Sequence, residues 1–75
     1  MPTIRQVSTI QIHINSDPRK IQAPLSVADL LRELGLDRQA CAVEVNLELI
    51  PKARHGTHQL AEGDRLEIVS LVGGG

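Results

Sequence analysis

Three consecutive glycines close the sequence, Gly73, Gly74 and Gly75, and the α-carboxylate of Gly75 is the group best placed to do chemistry. Glycine has no Cβ, so such a tail could thread a narrow channel in another protein and present its carboxylate to a nucleotide phosphate or a nucleophile. A carboxylate is unreactive until it is activated. Acyl-adenylate formation followed by thiol attack would make it a carrier of sulfur, or of the whole protein as an acyl group. A frayed terminus is the alternative interpretation.

The side chains offer weaker candidates for chemistry. Cys41 is a candidate thiol nucleophile, but its sequence neighbours are apolar and none is a cation that would lower the thiol pKa, which favours a small buried residue. His55 and His58 have the spacing of a metal-binding pair, yet no third ligand lies near them, which favours a solvated loop. No catalytic triad, phosphate-binding loop or carboxylate pair has suitable spacing. We therefore expect no catalytic residue and no metal site in this chain.

The composition describes one small domain with an aliphatic core. The chain has 75 residues, of which 41% are hydrophobic and none is aromatic. The net charge of −1, with neither sign gathered into a block, disfavours nucleic acid as a partner, because nucleic-acid binding needs a basic patch and stacking rings. No apolar run approaches the roughly 18 residues of a membrane span. A single cysteine and an N-terminus without an apolar signal segment predict a cytoplasmic protein.

Alternating apolar and polar residues predict the strands. Ile10, Ile12 and Ile14 share one face of a strand over residues 9–15, four turn formers follow at 15–18, and residues 19–23 are expected to pair back as a hairpin. Residues 41–46 predict a third strand, and 49–50 a short one that ends at a proline. Residues 52–58 are polar and irregular. Residues 65–72 form the most β-prone stretch and run directly into the glycines.

One helix is predicted between the second and third strands. Ser26 is its expected N-cap, the apolar residues from Val27 to Leu34 fall on one stripe, and Gly35 is placed to close it. The element order predicts an α+β fold in which one mixed β-sheet packs on a single main helix, with the last strand beside the first: the β-grasp arrangement. We divide the chain into an N-terminal extension (1–8), the domain (9–72) and a flexible tail (73–75).

Three segments resemble the ThiS family, the sulfur carriers of thiamine biosynthesis. Residues 63–75 (GDRLEIVSLVGGG) resemble its C-terminal signature, residues 43–51 (VEVNLELIP) its central V-x-V-N … I-P segment, and residues 25–31 (LSVADLL) the start of its helix. The likeness spans residues 9–75 and implies a ubiquitin-like β-grasp fold. The family glycines fall on Gly74 and Gly75, and Gly73 extends the pair. The resemblance implies that Gly75 carries the sulfur and that Gly73 and Gly74 serve in tail recognition.

The resemblance also implies a cycle driven by partners. An E1-like adenylating enzyme, which would hold ATP and magnesium itself, would convert the Gly75 carboxylate to an acyl-adenylate. A sulfur donor such as a cysteine desulfurase would supply the sulfur of a C-terminal thiocarboxylate, and thiazole synthase would accept it. The chain would then be a protein co-substrate rather than an enzyme and would bind no cofactor of its own. The eight-residue N-terminal extension is a departure from the pattern of the family, whose shortest members begin without it.

Three alternatives stay open at this point. The small subunit of molybdopterin synthase also ends in Gly-Gly, but the proline-rich approach to its tail is absent here. A ubiquitin-like modifier would instead join its tail to lysines, and a β-grasp binding module would need no glycine terminus. For any partner that takes the tail, we expect the outward side chains Glu44, Glu67 and Leu71 to form the docking face, because they lie on the strand leading to the tail or beside it.

Overall fold

Five strands form one mixed sheet, and a single α-helix covers one of its faces. The computed structural model describes residues 7–71. In chain order the elements are β1 (Ser8–Ile14), β2 (Asp17–Ala23), α1 (Val27–Glu33), β3 (Cys41–Val45), β4 (Glu48–Ile50), a short 3-10 helix (Lys52–Arg54) and β5 (Arg65–Ser70). The predicted element order and the α+β class are confirmed.

The strand order across the sheet is β2-β1-β5-β3-β4, which places β5 in the centre. β5 runs parallel to β1, with His13 opposite Arg65, and antiparallel to β3, with Val43 opposite Ile68. β1 with β2 and β3 with β4 form antiparallel hairpins. The prediction that the last strand lies beside the first is confirmed, so the strand that leads to the tail has a neighbour on each side.

Both hairpins close through two-residue turns with left-handed backbone. The φ angles are 49° and 76° at Asn15 and Ser16, and 53° and 71° at Asn46 and Leu47. Positive φ at both central residues is the type I′ geometry, which matches the twist of the flanking strands. The predicted turn over 15–18 was wrong at its second half, because Asp17 and Pro18 already pair in β2 with Ile14 and His13. Pro18 is tolerated because β2 is an edge strand.

The core lies between α1 and the sheet. Val27, Leu30 and Leu31 form the buried stripe of α1, and fully burying one such side chain contributes about 1.5–3 kcal/mol. The buried residues are Ile12, Ile21, Leu25, Val27, Leu30, Leu31, Val43, Val45, Ile50, Leu60, Leu66 and Ile68. Cys41 is only half-buried at the margin of this cluster, so the expectation of a buried thiol was too strong.

Both ends of α1 follow their sequence signals. The hydroxyl oxygen of Ser26 accepts a hydrogen bond from the N–H of Asp29 at 3.1 Å, as an N-cap does. Gly35 adopts a φ of 75°, and the N–H of Leu36 donates to the carbonyl of Leu31 at 2.8 Å. This is the closing pattern in which glycine takes the left-handed position at low cost.

The segment after β4 differs from its prediction. Instead of an irregular solvated loop, it forms the 3-10 helix and buries His55, whose exposed fraction is 8%. The Nε2 atom of His55 lies 3.0 Å from the carbonyl oxygen of Ile50, and its own carbonyl accepts from the N–H of Ala28 at 2.8 Å. His55 therefore joins the end of β4 to the start of α1. The solvated interpretation was wrong for His55, because sequence periodicity does not register a polar residue that is buried by its hydrogen bonds, whereas residues 52–54, 56 and 57 are exposed.

Residues 1–6 and 72–75 lie outside the described part of the chain, so the limits of the predicted extension, domain and tail stay predictions. Among residues 7–71, no helix is long and apolar enough to cross a membrane.

Candidate functional site

The predicted site residues Gly73, Gly74 and Gly75 all lie outside the described residues. What the structure describes is the strand that leads to them, β5, up to Leu71. The described part of the site consists of the groups that fix the end of β5 and the sheet face around them.

The end of β5 is fixed by its buried side chains in the core and by hydrogen bonds to the residues just before β3. Leu66 and Ile68 anchor the strand in the core. The N–H of Leu71 donates to the carbonyl of Ala40 at 2.7 Å, and the hydroxyl of Ser70 donates to the side-chain oxygen of Gln39 at 2.7 Å. The chain is thus fixed by hydrogen bonds as far as Leu71, and only four residues follow it in the sequence.

Two asparagine side chains hold β5 from the hairpin turns. The carboxamide of Asn15 donates to the carbonyl of Ile68 at 3.1 Å and accepts from its N–H at 2.8 Å, so it replaces a residue of β1 where that strand has ended. The carboxamide of Asn46 accepts from the N–H of Arg65 at 3.0 Å and donates to Asp64 at 3.0 Å. The sequence predicted the first of these turns but neither contact, because the partners lie 53 and 19 residues away.

The face of the sheet opposite α1, which we call the outer face, carries acidic and apolar side chains. Glu44 of β3 lies directly opposite Glu67 of β5. Within residues 7–71 neither carboxylate makes a hydrogen bond or an ion pair. Like charges placed opposite one another weaken a sheet, so this pair does not serve the fold.

Apolar side chains flank the acidic pair on the outer face. Leu49 lies opposite Glu44, and Val69 lies opposite Ala42. Leu71 continues the alternation of β5 toward the tail. The exposed fractions of Leu49, Val69 and Leu71 are 61%, 55% and 55%. The structure thus brings the predicted docking residues Glu44, Glu67 and Leu71 to the face and strand that lead to the tail.

A cleft of about 350 Å³ opens on the outer face near the start of β5. His13, Leu47 and Arg65 are among its lining residues. The Nδ1 atom of His13 is buried there and has no hydrogen-bond partner in the described part of the chain. His13 and Ser16 both line this cleft, but within residues 7–71 no hydrogen bond joins their side chains. Residues 7–71 also contain no group of three His, Cys, Asp or Glu side chains placed to hold a metal ion.

A shifted pKa occurs on α1, away from the outer face. Hydrogen bonding to Ser26, first through its hydroxyl and then through its main chain, holds the pKa of Asp29 below its usual value, and the Arg32 guanidinium 2.9 Å away acts in the same direction. Desolvation of the Asp29 carboxyl opposes this shift. The charge stabilises the first turn of the helix rather than a reaction.

Comparison with known proteins identifies the family. The sequence matches the ThiS family over residues 12–75, a span that includes the three terminal glycines. The chain belongs to the ThiS family. The crystal structure of the thiamine biosynthesis protein ThiS from Geobacter metallireducens superposes with a TM-score of 0.74 at 25% identity, covering 88% of this chain and all of that one. The ubiquitin-like β-grasp fold expected from the resemblance is thereby confirmed.

Sequence relatives of the chain fall into two size classes. The sulfur carrier protein ThiS of Bacillus subtilis is 40% identical over 50 residues, which cover 67% of this chain and 76% of that protein. A protein from Paramagnetospirillum magneticum named thiazole synthase is 42% identical over 66 residues, or 88% of this chain. The chain spans only 20% of that thiazole synthase's length, and the same share of a second one from Magnetococcus marinus. ThiS-family proteins are small sulfur carriers rather than catalysts.

Proposed function

We propose that this chain carries sulfur as a thiocarboxylate on Gly75 and gives it up for the formation of a thiazole ring in thiamine biosynthesis. The observation that supports this most is the match to the ThiS family, which extends through the terminal glycines. In the proposal, residues 9–72 are the recognition domain and residues 73–75 are the reactive tail. The working form ends in a free carboxylate at Gly75.

The proposed chemistry has three steps. A carboxylate oxygen of Gly75 attacks the α-phosphorus of ATP, and pyrophosphate leaves to give the acyl-adenylate. A sulfur nucleophile at the oxidation level of sulfide then attacks the acyl carbon, and AMP leaves with its oxygen, which yields the thiocarboxylate. In the third step the sulfur passes to the acceptor, and the acyl carbon regains an oxygen from water. The chain contributes the acid and its position, while its partners contribute the catalytic groups.

The adenylating partner in this proposal is an E1-like enzyme that holds ATP and Mg²⁺, and the sulfur is supplied by a donor such as a cysteine desulfurase. Such a donor holds the sulfur as a persulfide, so thiols must supply two electrons to bring it to the oxidation level of sulfide and are themselves oxidised to a disulfide. Gly73 and Gly74 serve in tail recognition, because a chain without side chains passes where a bulkier one would be obstructed. The outer face, with Glu44, Glu67 and Leu71, is the docking face. A basic partner surface would offset the unfavourable pairing of the two carboxylates.

Thiazole synthase is the proposed acceptor of the sulfur. Two proteins of that name contain a segment similar to this chain as about a fifth of their own length. Joining a carrier-like segment to a synthase in one polypeptide raises the effective concentration of one for the other. Such an arrangement is expected where the two act on each other.

A C-terminal extension tests the role of the tail in cells that depend on this gene for thiazole. A variant with one uncleavable tryptophan added after Gly75 should fail to support growth without thiazole. A second variant that lacks Gly74 and Gly75 should fail as well, and it should unfold at the same urea concentration as the parent chain because glycine has no side chain to bury in the core. Growth with the tryptophan-capped variant would contradict the proposal. If the truncated variant is unfolded, the tail stabilises the fold and its loss says nothing about sulfur transfer, which would contradict the assigned role of the tail. If the gene instead restores a strain that lacks the small subunit of molybdopterin synthase, the chain is the molybdopterin carrier.

A further inference from the structure

Leu47 combines two properties that do not favour the folded state. Its side chain is 91% exposed, the most exposed large apolar side chain in the described chain. Its φ of 71° places it in the left-handed region, at the second position of the β3–β4 turn, where glycine is preferred. A lone exposed leucine is ordinary. A leucine that is exposed and also held in an unfavourable backbone conformation is typical of a functional position.

The turn that carries Leu47 is fixed by its neighbour. Besides its carboxamide contacts with Arg65 and Asp64, Asn46 donates its own main-chain N–H to the carbonyl of Arg65 at 2.8 Å. Asp64 in turn accepts from the N–H of Ala61 at 2.8 Å. Because these contacts attach the turn to the start of β5, the side chain of Leu47 is presented on a rigid support. A pre-organised apolar side chain loses little entropy when it enters a pocket.

The β1–β2 turn shows that this backbone does not require a leucine. It has the same two-residue length and the same signs of φ, and Ser16 occupies the position equivalent to Leu47, with a φ of 76°. The first position is asparagine in both turns, and in both its carboxamide bonds to β5. The two turns differ in the side chain at the second position, so the leucine at position 47 needs an explanation other than the turn geometry.

The position of Leu47 and the length of the tail together indicate which kind of partner contacts Leu47. Leu47 lines the cleft beside Arg65 on the outer face, and Arg65 is about 20 Å from Leu71 along β5 at the usual rise of a strand. The four residues after Leu71 reach at most about 14 Å when fully extended. An enzyme acting on Gly75 must therefore lie close against the domain. A contact region of ordinary size, about 800 Å² on each partner, is roughly 28 Å across, which exceeds the distance from Leu71 to Arg65 and would therefore include Leu47.

We propose that Leu47 inserts into an apolar pocket of the adenylating enzyme and is the main anchor of that complex outside the tail. This inference rests on the proposed function. The adenylating enzyme is the occupant because adenylation is the first step that the proposal places on Gly75, and the short tail brings the enzyme of that step against the domain. In the two thiazole synthase relatives the carrier-like segment is already joined to the rest of the synthase, so an exposed anchor is needed less for that partner.

Three variants of the full chain test this inference against the purified adenylating enzyme, with pyrophosphate release as the readout. Leu47→Ser, which copies the residue of the other turn, should lower kcat/KM at least tenfold and leave kcat at saturating carrier unchanged, because the anchor contributes to binding. Leu47→Gly should lower kcat/KM equally while raising Tm by about 2–6 °C through relief of the backbone. Ser16→Gly is the matched control: its Tm should rise similarly, and its kcat/KM should stay within twofold of the parent.

The outcomes separate this inference from the proposed function. If the parent chain releases no pyrophosphate with an active enzyme, the carrier proposal itself is contradicted. If the parent chain is adenylated and Leu47→Ser has the parent kcat/KM, the anchor inference is overturned. It is also overturned if Leu47→Ser slows only the later transfer of sulfur to thiazole synthase, or if it only abolishes self-association of the chain in sedimentation.

Discussion

The contact between Asn15 and Ile68 gives the most informative test of how the tail is supported. Asn15→Gly keeps a residue that accepts a φ of 49° and removes both carboxamide hydrogen bonds, of 3.1 and 2.8 Å. Each such bond contributes about 0.5–1.5 kcal/mol, so the loss is about 1–3 kcal/mol. Asparagine tolerates the left-handed region better than serine or leucine, so glycine relieves less backbone strain at position 15 than at position 16 or 47. At position 15 the more flexible unfolded chain roughly offsets that smaller relief.

The assay is urea unfolding of the full chain, with Ser16→Gly as the control in the same turn. Asn15→Gly should lower the free energy of unfolding by about 1–3 kcal/mol and Tm by roughly 5–15 °C, while Ser16→Gly should be stabilised. Asn15→Asp keeps an acceptor for the N–H of Ile68 but has no proton to donate to the carbonyl of Ile68 at neutral pH, so its free energy of unfolding should also be below that of the parent. It should recover stability relative to Asn15→Gly as the pH falls and the acid becomes protonated. An Asn15→Gly variant as stable as the parent would refute the claim that this carboxamide supports β5.

Two further predictions concern α1 and the segment before it. His55→Ala should lower the free energy of unfolding by about 2–4 kcal/mol in urea titrations, because it leaves a cavity and removes the buried hydrogen bond to the carbonyl of Ile50. A stability within 0.5 kcal/mol of the parent would show that the buried imidazole is dispensable. The pKa of Asp29 is lowered by its contacts with Ser26 and Arg32. The Asp29 carboxylate therefore stabilises the folded state at pH values above its unfolded pKa of 3.8, and this stabilisation is lost as the pH falls through the lower folded-state pKa. Unfolding curves of Asp29→Asn and the parent should therefore differ at pH 6 and converge in acid, and a difference that persists below the folded-state pKa would contradict the assignment.

Prediction from the sequence succeeded where the two interacting residues lie close together along the chain. Ser26 and Asp29 are three residues apart, and Gly35 follows Leu34, the C-cap residue of α1, so the helix limits could be predicted from the chain alone. The alternation of Ile10, Ile12 and Ile14 likewise predicted β1 and its buried face.

Prediction failed where the partner lies far along the chain. His55 is buried because its imidazole reaches Ile50 and its carbonyl reaches α1, and no periodic pattern marks that position. Pro18 resembled a turn residue until the sheet order placed β2 at an edge, where a missing N–H costs little. The roles of Asn15 and Asn46 depend on the position of β5, which only the assembled sheet defines.

The candidate site divides in the same way. Its reactive end was predicted from composition and resemblance, because three glycines after a β-prone strand are visible in the sequence. The anchor at Leu47 was not predicted, since its significance depends on backbone geometry and exposure. An asparagine followed by a leucine between two alternating runs was the available signal, because the second position of such a turn normally belongs to glycine.

The most direct measurement of the central claim is the intact mass of the full chain after incubation with the adenylating enzyme, Mg-ATP and a sulfur donor. The account predicts a mass increase equal to the replacement of one oxygen by sulfur, which fragmentation assigns to Gly75, and its loss when thiazole synthase and its substrates are added. An unchanged mass with an enzyme that is active on another carrier, or a sulfur atom assigned to Cys41, would contradict it.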